Sequence, residues 1–346
     1  MIQSLFHAWE RRLAAAATDR VVRPFEWGLE WALGNAPLPA EAPELVLRRW
    51  VADVMADTDA FYTPEPTDAY RLGPADARGE RLLTYPTALQ TPHVENNTAY
   101  GRYVPARRAD VSRPRAAVVV LPQWNSDEGG HMGLSRLLAM HGLHALRLSL
   151  PYHDRRMPPE LRRADYIVSA NIARTVQICR QAVLDTRRAV AWLAREGFER
   201  IGILGTSLGS CLALLTTAHE PLIRAQALNH VSPLFADVVW RGLSTEHVRQ
   251  GLDGHLDLDT LRALWQPISP RWFLDRLGDR RTLLVYARYD LTFPVDLSRE
   301  LVRDFQDRGI QHELRVLPCG HYSSGKTPFK FVDGFVLARF LRRALA

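Results

Sequence analysis

The sequence is poor in cysteine. Its three cysteines, Cys179, Cys211 and Cys319, are widely separated in 346 residues, and no two have the short spacing of a metal site. Cys179 and Cys211 fall on apolar positions of predicted helices, which is typical of reduced cysteines in a hydrophobic core. The pattern argues against a disulfide-stabilised scaffold. We therefore expect no metal and a cytoplasmic location.

Long apolar segments are also missing. No stretch reaches the roughly 18 apolar residues that a membrane-spanning helix requires. Residues 1–20 lack the charged stretch followed by an apolar stretch that marks a secretory signal. We therefore expect neither an integral membrane protein nor a secreted one.

Lysine is nearly absent. Lys326 and Lys330 are the only two lysines, so almost all of the positive charge behind the net charge of +6 is arginine. Arginine pairs readily with carboxylates, and acidic residues are interleaved with it along the chain. The sequence shows no basic cluster with interleaved aromatic residues of the kind that binds nucleic acid. A nucleic-acid partner is therefore not expected.

The pattern of the chain changes near residue 78. Residues 1–78 carry apolar residues at helical spacing, such as Leu5, Trp9 and Leu13, and predict an N-terminal helical extension. The interpretation that we favour is that this extension packs on the remainder of the chain. The alternatives are a homodimerisation arm and a peripheral contact with a membrane surface, because arginines cluster in or just after the first predicted helix.

Strands and helices alternate in residues 79–346. An antiparallel pair of strands is predicted first, at residues 82–89 and 98–104. Apolar runs then predict further strands, with helical spacing between most of them, near residues 116–121, 144–150, 201–204, 225–231, 283–286 and 313–317. This alternation predicts an α/β domain with a mostly parallel central sheet covered by helices on both faces.

One segment interrupts the alternation. Residues 236–280 contain short predicted helices, no predicted strand and the aromatic residues Trp240, Trp265, Trp272 and Phe273. An insertion after the carboxyl end of a strand lies over the crevice in which ligands bind. We therefore interpret the segment as a small helical lid and expect Trp240 and Trp272 to bind substrate. The alternative is a structural helical layer away from the site.

The most informative motif is Gly205-Thr206-Ser207-Leu208-Gly209, a G-x-S-x-G between a predicted strand and a predicted helix. Glycines two residues on either side of the serine relieve crowding in a very sharp turn. The turn exposes the Ser207 hydroxyl and directs the backbone N–H of Leu208 and the start of a helix toward the same point, which suits an oxyanion. Ser207 is therefore the candidate nucleophile, and the alternative is an ordinary glycine-rich turn.

A serine nucleophile needs a histidine as its base and a carboxylate that orients the histidine. One predicted strand leads into Asp290 and the next leads into His321, so acid and base follow the serine in the expected order. Asp237 competes with Asp290 for the role of the acid. His219 and His230 compete with His321, but both precede the acid in the chain, so we expect His321 to be the base.

The oxyanion hole needs a second N–H from the loop after the strand at residues 116–121. Pro122 has no N–H, so the candidates are the backbone N–H groups of Gln123 and Trp124. Trp124 is slightly favoured, and its indole is also a candidate wall of the acyl pocket. The alternative is that Trp124 is only a packing aromatic.

Residues 80–346 resemble the α/β-hydrolase superfamily. The resemblance rests on the GTSLG turn, on YDLTFP at residues 289–294 and on CGHY at residues 319–322. This part of the sequence is similar to the bacterial esterase, dienelactone-hydrolase and prolyl-oligopeptidase-like branches of the superfamily. It differs from the common relatives at Pro122-Gln123, where they have His-Gly. The resemblance implies a serine hydrolase without a cofactor, but it does not specify a substrate, because the fold supports many chemistries.

Three functions remain for comparison. The first is hydrolysis of a small-molecule carboxylic ester through an acyl-enzyme intermediate, which the sequence favours. The second is a peptidase or amidase that uses the same three residues. The third is a non-catalytic binding protein on this fold, which would predict an incomplete set of catalytic residues. The acyl length, the alcohol and the oligomeric state are left open.

Overall fold

A computed structural model describes residues 2–34, 36–107 and 114–346 of the chain. Within these residues, nine strands form one sheet. Their bounds are β1 (Arg71–Leu72), β2 (Arg81–Pro86), β3 (Thr98–Val104), β4 (Ala116–Leu121), β5 (His144–Leu148), β6 (Arg200–Thr206), β7 (Ile223–Asn229), β8 (Arg281–Ala287) and β9 (His312–Leu317). Each strand predicted from the sequence is present, with ends that shift by a few residues.

Helices precede the sheet and connect its strands. Their bounds are α1 (Ile2–Ala15), α2 (Leu29–Leu33), α3 (Pro43–Ala56), α4 (Thr58–Tyr62), α5 (Met132–Met140), α6 (Ile172–Arg195), α7 (Leu208–His219), α8 (Phe235–Arg241), α9 (Glu246–Leu252), α10 (Leu258–Leu264), α11 (Val295–Asp307) and α12 (Phe329–Ala344). None of these described helices is both long enough and apolar enough to cross a membrane.

The order of the strands determines which loops meet. The sheet runs β1-β2-β3-β5-β4-β6-β7-β8-β9, and all pairs from β5 to β9 are parallel, whereas β1, β2, β3 and β5 pair antiparallel. Leu121 lies opposite Gly205, Thr206 opposite Asn229, and Ala287 opposite Leu317. The carboxyl ends of these parallel strands therefore lie together at one edge, which is where ligands bind in open α/β sheets.

Strand β4 shows why the sheet is covered on both faces. All six of its residues are buried. Ala117, Val119 and Leu121 belong to a core that also contains residues of α6 and α7. Ala116, Val118 and Val120 point into a second core, with residues of α5 and α12. A continuous apolar run is the pattern expected of a strand that has helices on both sides.

The N-terminal segment shares the first of these cores. Leu47 of α3 and Phe61 and Tyr62 of α4 are buried in it, and the Tyr62 hydroxyl donates a hydrogen bond to the Pro267 carbonyl at 2.7 Å. The segment also supplies β1, which pairs with β2 and which the sequence did not predict. The boundary between a separate extension at 1–78 and a domain at 79–346 stays a prediction.

Substitution of Leu47 tests whether the N-terminal helices unfold with the sheet. We expect Leu47→Ala to lower the free energy of unfolding by about 2–5 kcal/mol, because it leaves a cavity in the shared core. The variant should unfold in a single transition, and circular dichroism and tryptophan fluorescence should both report that same transition. Leu45→Ala in the same helix is the matched control and should change little, since Leu45 is 55% exposed. Two separate transitions would contradict a shared core.

Candidate active site

The turn at Ser207 is held in one conformation by its neighbours. Ser207 has φ 57° and ψ −120°, a strained conformation for a residue with a side chain. Its N–H donates to the Asn229 carbonyl at 2.8 Å. A Cβ on Gly205 would lie 2.1 Å from the Gly209 carbonyl oxygen, and one on Gly209 would lie 2.3 Å from the Leu121 carbonyl oxygen. Both glycines are therefore required where the turn packs against itself and against β4.

Three predicted residues are joined in a hydrogen-bonded chain. Nε2 of His321 lies 3.1 Å from Oγ of Ser207, and Nδ1 of His321 lies 3.0 Å from Oδ2 of Asp290. A proton on Nδ1 is donated to the carboxylate and leaves Nε2 as the acceptor for the serine proton. This is the geometry that activates a serine hydroxyl for attack on a carbonyl carbon.

The carboxylate of Asp290 is buried but fully engaged. Its Oδ1 accepts hydrogen bonds from the backbone N–H groups of Thr292 at 2.8 Å and Phe293 at 2.7 Å. Burial alone would raise the pKa of Asp290, but the neighbouring His321 and the hydrogen bonds from two histidines outweigh it and hold this pKa well below its usual value. Asp290 is therefore ionised at neutral pH.

Asp237, the other candidate acid, lies elsewhere. Its two carboxylate oxygens accept hydrogen bonds from Arg262 at 2.6 and 2.9 Å, within the segment 236–280. Among the described residues, its side-chain partner is this arginine and not a histidine. The structure thus brings Asp290, rather than Asp237, to His321.

A second histidine shares the same carboxylate oxygen. Nδ1 of His230 lies 3.1 Å from Oδ2 of Asp290, and Nε2 of this buried ring has no partner within the described chain. Burial by itself lowers the pKa of His230, but the hydrogen bond to Asp290 and the charges of Asp290, Asp333 and Glu10 together raise it above its usual value. The ring centres of His230 and His321 are 4.6 Å apart.

Sequence reasoning considered His230 only as a rival base and set it aside. The signal that would have found it is its position directly after β7. The carboxyl end of β7 lies between those of β6 and β8, so a side chain that follows it is close to both the serine and the acid. The other rival, His219, lies at the end of α7, where it contacts the Leu215 carbonyl and Thr58.

Two of the candidate oxyanion donors, Leu208 and Trp124, line one cavity together with Ser207. In the described part of the chain, the backbone N–H groups of Leu208, Gln123 and Trp124 form no hydrogen bond, as expected of donors kept for a ligand. The Trp124 indole N–H donates to the Ala164 carbonyl at 2.9 Å, and its ring lies parallel to that of His247. The choice between Gln123 and Trp124 as the second donor stays a prediction.

A small cavity adjoins the Ser207 hydroxyl. Its volume is about 40 Å³. Its described lining carries no carboxylate, amino group, guanidinium or imidazole, and consists of Trp124, Val168, Ser207, Leu208, Cys211, Ser232, Phe235, Val238, Val239, Ser244, Thr245 and Phe293. Residues 236–280 contribute four of these, Val238, Val239, Ser244 and Thr245. The cavity therefore suits a short, neutral and mainly apolar group.

Neither Trp240 nor Trp272, the two expected substrate contacts, lines this cavity. Helix α8 turns Val238 and Val239 toward it, and Trp240, about 100° further around the helix, lies beneath the Arg249 guanidinium at 5.1 Å. Trp272 is 50% exposed and lines a separate, charged surface cleft. Apolar residue type marks this segment in the sequence but does not specify which face each side chain takes.

One group of side chains in the described residues is close enough to bind a metal ion. His230, Asp290 and His321 each offer a ligand atom, and these atoms lie within 4.8 Å of one another. Both histidines already contact Oδ2 of Asp290 through Nδ1. An ion among them would compete with the contact that orients His321, so the arrangement fits proton transfer better than metal binding.

The sequence matches no family model and no curated protein. Solved structures do show similarity. An acetyl xylan esterase from Paenibacillus sp. R4 aligns with a TM-score of 0.62 and 14% identity, over 91% of this chain and 99% of that one. Acetyl xylan esterase 1 from Thermoanaerobacterium sp. JW/SL YS485 aligns with a TM-score of 0.58 and 15% identity, over 93% of this chain and 100% of that one.

A longer protein is similar over part of its length. The acylaminoacyl peptidase of Pyrococcus horikoshii aligns with a TM-score of 0.60 and 13% identity, over 81% of this chain but 42% of that one. The chain thus spans about two fifths of the peptidase. At these identities the likeness shows the fold alone, and it confirms the predicted α/β-hydrolase fold with its mostly parallel central sheet.

The shared carboxylate predicts a specific effect of His230 on the pH dependence of hydrolysis. A raised pKa keeps His230 protonated at higher pH, and the ring that carries this positive charge has its centre 4.6 Å from that of His321. His230→Gln removes that charge from beside the proposed base, so the acid limb of kcat/KM should move to higher pH. The measurement is the pH profile for a neutral ester.

His219→Gln is the matched control, because His219 is also largely buried but contacts neither Asp290 nor His321. Its acid limb should coincide with that of the wild type. An unchanged limb in His230→Gln would mean that His230 does not influence the charge shared with His321.

Proposed function

Starting from the α/β-hydrolase fold of the chain, we propose that it is a serine hydrolase that cleaves a carboxylic ester through an acyl-enzyme intermediate. The observation that carries the proposal is the chain of contacts from Oγ of Ser207 to Nε2 of His321 at 3.1 Å and from Nδ1 of His321 to Oδ2 of Asp290 at 3.0 Å. A fold alone does not specify a chemistry, whereas this arrangement does.

The first half of the reaction transfers the acyl group to the enzyme. Nε2 of His321 takes the hydroxyl proton while Oγ of Ser207 attacks the ester carbon, and the carbonyl electron pair moves onto its oxygen. The N–H of Leu208 and that of Gln123 or Trp124 stabilise this oxyanion. The oxyanion collapses, the bond to the alcohol oxygen breaks, and His321 gives its proton to that oxygen.

The second half releases the acid. His321 takes a proton from a water molecule, the resulting hydroxyl attacks the acyl carbon, and Oγ of Ser207 leaves with the proton that His321 returns. Throughout both halves, the ionised Asp290 holds the imidazole in the tautomer that accepts at Nε2 and stabilises its protonated form. Ser207, His321 and Asp290 thus return to their starting states after one ester has been hydrolysed.

The cavity supports a short acyl group. A volume of about 40 Å³ accommodates about three groups the size of a water molecule, which corresponds to an acetyl to butyryl chain. Two of the similar structures are acetyl xylan esterases, which favours acetyl esters as the first substrates to test. The similarity to an acylaminoacyl peptidase favours amide hydrolysis as the second candidate. The lining of the cavity offers no ionised group to bind a charged peptide terminus.

The assignment of the three residues is tested by substitution. Ser207→Ala should lower kcat for a p-nitrophenyl ester on the order of 10⁶-fold, as loss of the nucleophile does in other triad enzymes. Asp290→Asn should lower kcat on the order of 10⁴-fold, because an amide favours the wrong histidine tautomer. Asp237→Asn is the control for the acid and should retain most activity when folded. A dead Asp237 variant beside an active Asp290 variant would overturn the assignment.

The reaction class is tested with three further measurements. A fluorophosphonate probe should label the wild type at Ser207 and leave Ser207→Ala unlabelled, whereas a non-catalytic binding protein would not react. Faster hydrolysis of p-nitrophenyl esters than of p-nitroanilides would favour an esterase over an amidase. Full activity in the presence of a chelator is expected, and loss of the rate would contradict a mechanism based on Ser207 and His321.

The size of the cavity predicts a preference for short acyl chains. Among p-nitrophenyl esters, kcat/KM should fall from acetate to octanoate. Val238→Ala shortens a side chain in the wall and so enlarges the cavity. It should raise the ratio of kcat/KM for longer esters to that for acetyl esters by about 10-fold, because one methylene in an apolar pocket changes rates by at least that order. Trp272→Ala is the matched control and should leave the ratio unchanged. Equal ratios in both variants would contradict the assigned wall.

A further inference from the structure

We propose that helix α1 completes the active site and that Glu10 is a positioning residue for the proposed base, His321. This inference rests on the proposed hydrolase function and deepens it. It assigns a part in catalysis to a helix that lies more than 300 residues from His321 in the chain. The proposal concerns the orientation of the imidazole, because Glu10 itself contacts the histidine loop and not the reacting atoms.

The contact is a carboxylate seated against the backbone of the histidine loop. Oε2 of Glu10 accepts a hydrogen bond from the N–H of Tyr322 at 2.8 Å, and Oε1 accepts one from the N–H of Ser323 at 2.9 Å. These two groups directly follow His321. A Cβ on Gly320, the residue directly before it, would lie 2.3 Å from Cδ of Glu10. The carboxylate therefore accepts hydrogen bonds from the backbone after the histidine and packs against the residue before it.

Because the Glu10 carboxylate is buried, it requires hydrogen-bond donors within the protein. Glu10 is fully buried, and a buried carboxylate is costly unless hydrogen bonds satisfy its oxygens. The backbone N–H groups of the loop require an acceptor in turn, since buried N–H groups without acceptors are rare. Bonds to an ionised acceptor are short and stronger than neutral ones. An apolar side chain would fill the same space without fixing the direction of the loop, so the chemistry of the contact indicates positioning rather than packing.

The same N-terminal segment also contacts the loop of the acid. The Phe6 ring stacks on that of Tyr289 with a centre distance of 4.5 Å and an angle of 13°, and Tyr289 directly precedes Asp290. Nη2 of Arg20, shortly after α1, donates to the Tyr322 hydroxyl at 3.0 Å. The segment thus spans the two loops whose side chains must stay 3.0 Å apart for His321 to accept the serine proton.

Small displacements of the base are expected to lower the reaction rate strongly. A misplacement of about 1 Å in a catalytic group costs on the order of 100-fold in rate. Without the Glu10 carboxylate, the loop would keep its own contact, in which Ser323 Oγ accepts from the Gly320 N–H at 2.8 Å. That contact lies within the loop and does not tie it to the rest of the protein. The expected result is a folded enzyme with a misdirected imidazole.

The experiment uses the full chain with Glu10→Gln. The amide has nearly the same size, but its NH₂ replaces one acceptor and faces a backbone donor. We expect kcat for p-nitrophenyl acetate to fall by about 10- to 100-fold, with KM within a few-fold of the wild type. The rate of fluorophosphonate labelling at Ser207 should fall by a similar factor. Unchanged kcat and labelling in a folded variant would overturn the proposal, even if Tm were lower.

Asp76→Asn is the matched control. Oδ1 of Asp76 also accepts two backbone N–H groups, from Arg78 at 2.9 Å and Glu80 at 3.0 Å, but it lies between β1 and β2 at the opposite edge of the sheet. Its kcat should equal that of the wild type. A fall in kcat as large as that of Glu10→Gln would show a general effect of weakened loops and would overturn the proposal.

If Glu10→Gln does not fold, Glu10→Asp tests the proposed positioning role instead. It keeps the carboxylate but withdraws it by one bond of about 1.5 Å, so kcat should again fall while KM is retained, and wild-type kcat would overturn the proposal. Failure of the proposed function has a different signature. The wild type itself would then remain unlabelled by the fluorophosphonate and would not hydrolyse esters, whatever residue stands at position 10.

Discussion

A buried negative charge that must be neutralised is the constraint on which the rest of the site depends. Asp290 accepts four N–H groups, two from its own loop and two from histidines that follow neighbouring strands. Each donor reaches it because β7, β8 and β9 are parallel and end at the same edge. The carboxylate therefore connects the topology of the sheet to the chemistry of Ser207, and its loss would affect both the loops and the base.

Much of this arrangement was predictable because its signals are local. The run Ala116–Leu121 is apolar at every position and forms a strand buried on both faces. Glycines at 205 and 209 mark a turn that tolerates no side chain there. Asp290 and His321 each follow a predicted strand, so their meeting follows from a parallel sheet. The fold and the three candidate catalytic residues required only strand order and turn chemistry.

The parts that escaped prediction depend on contacts between distant segments. Composition marked the 236–280 insertion, but only the structure shows that Val238 faces the cavity and Trp240 does not. His230 had been judged by its order in the chain rather than by the strand that it follows. Glu10 carries no local signal at all, because an acidic residue in an amphipathic helix is ordinarily solvated. Its role becomes visible only when the loop at 320–323 is placed beside it.

The contact between α1 and the histidine loop has a consequence for the order in which the protein folds. The Glu10 carboxylate accepts a hydrogen bond from the N–H of Tyr322, which lies 312 positions further along the chain. The length of the loop that this contact closes adds little to the free-energy cost of folding, since each doubling of length costs only about 0.6 kcal/mol. A contact of this kind nevertheless forms slowly, because the entropy of closing the loop is lost before the contact stabilises the fold. The proposed positioning of His321 by Glu10 would thus be completed late in folding, after the Ser207 turn and the strands beside it have formed.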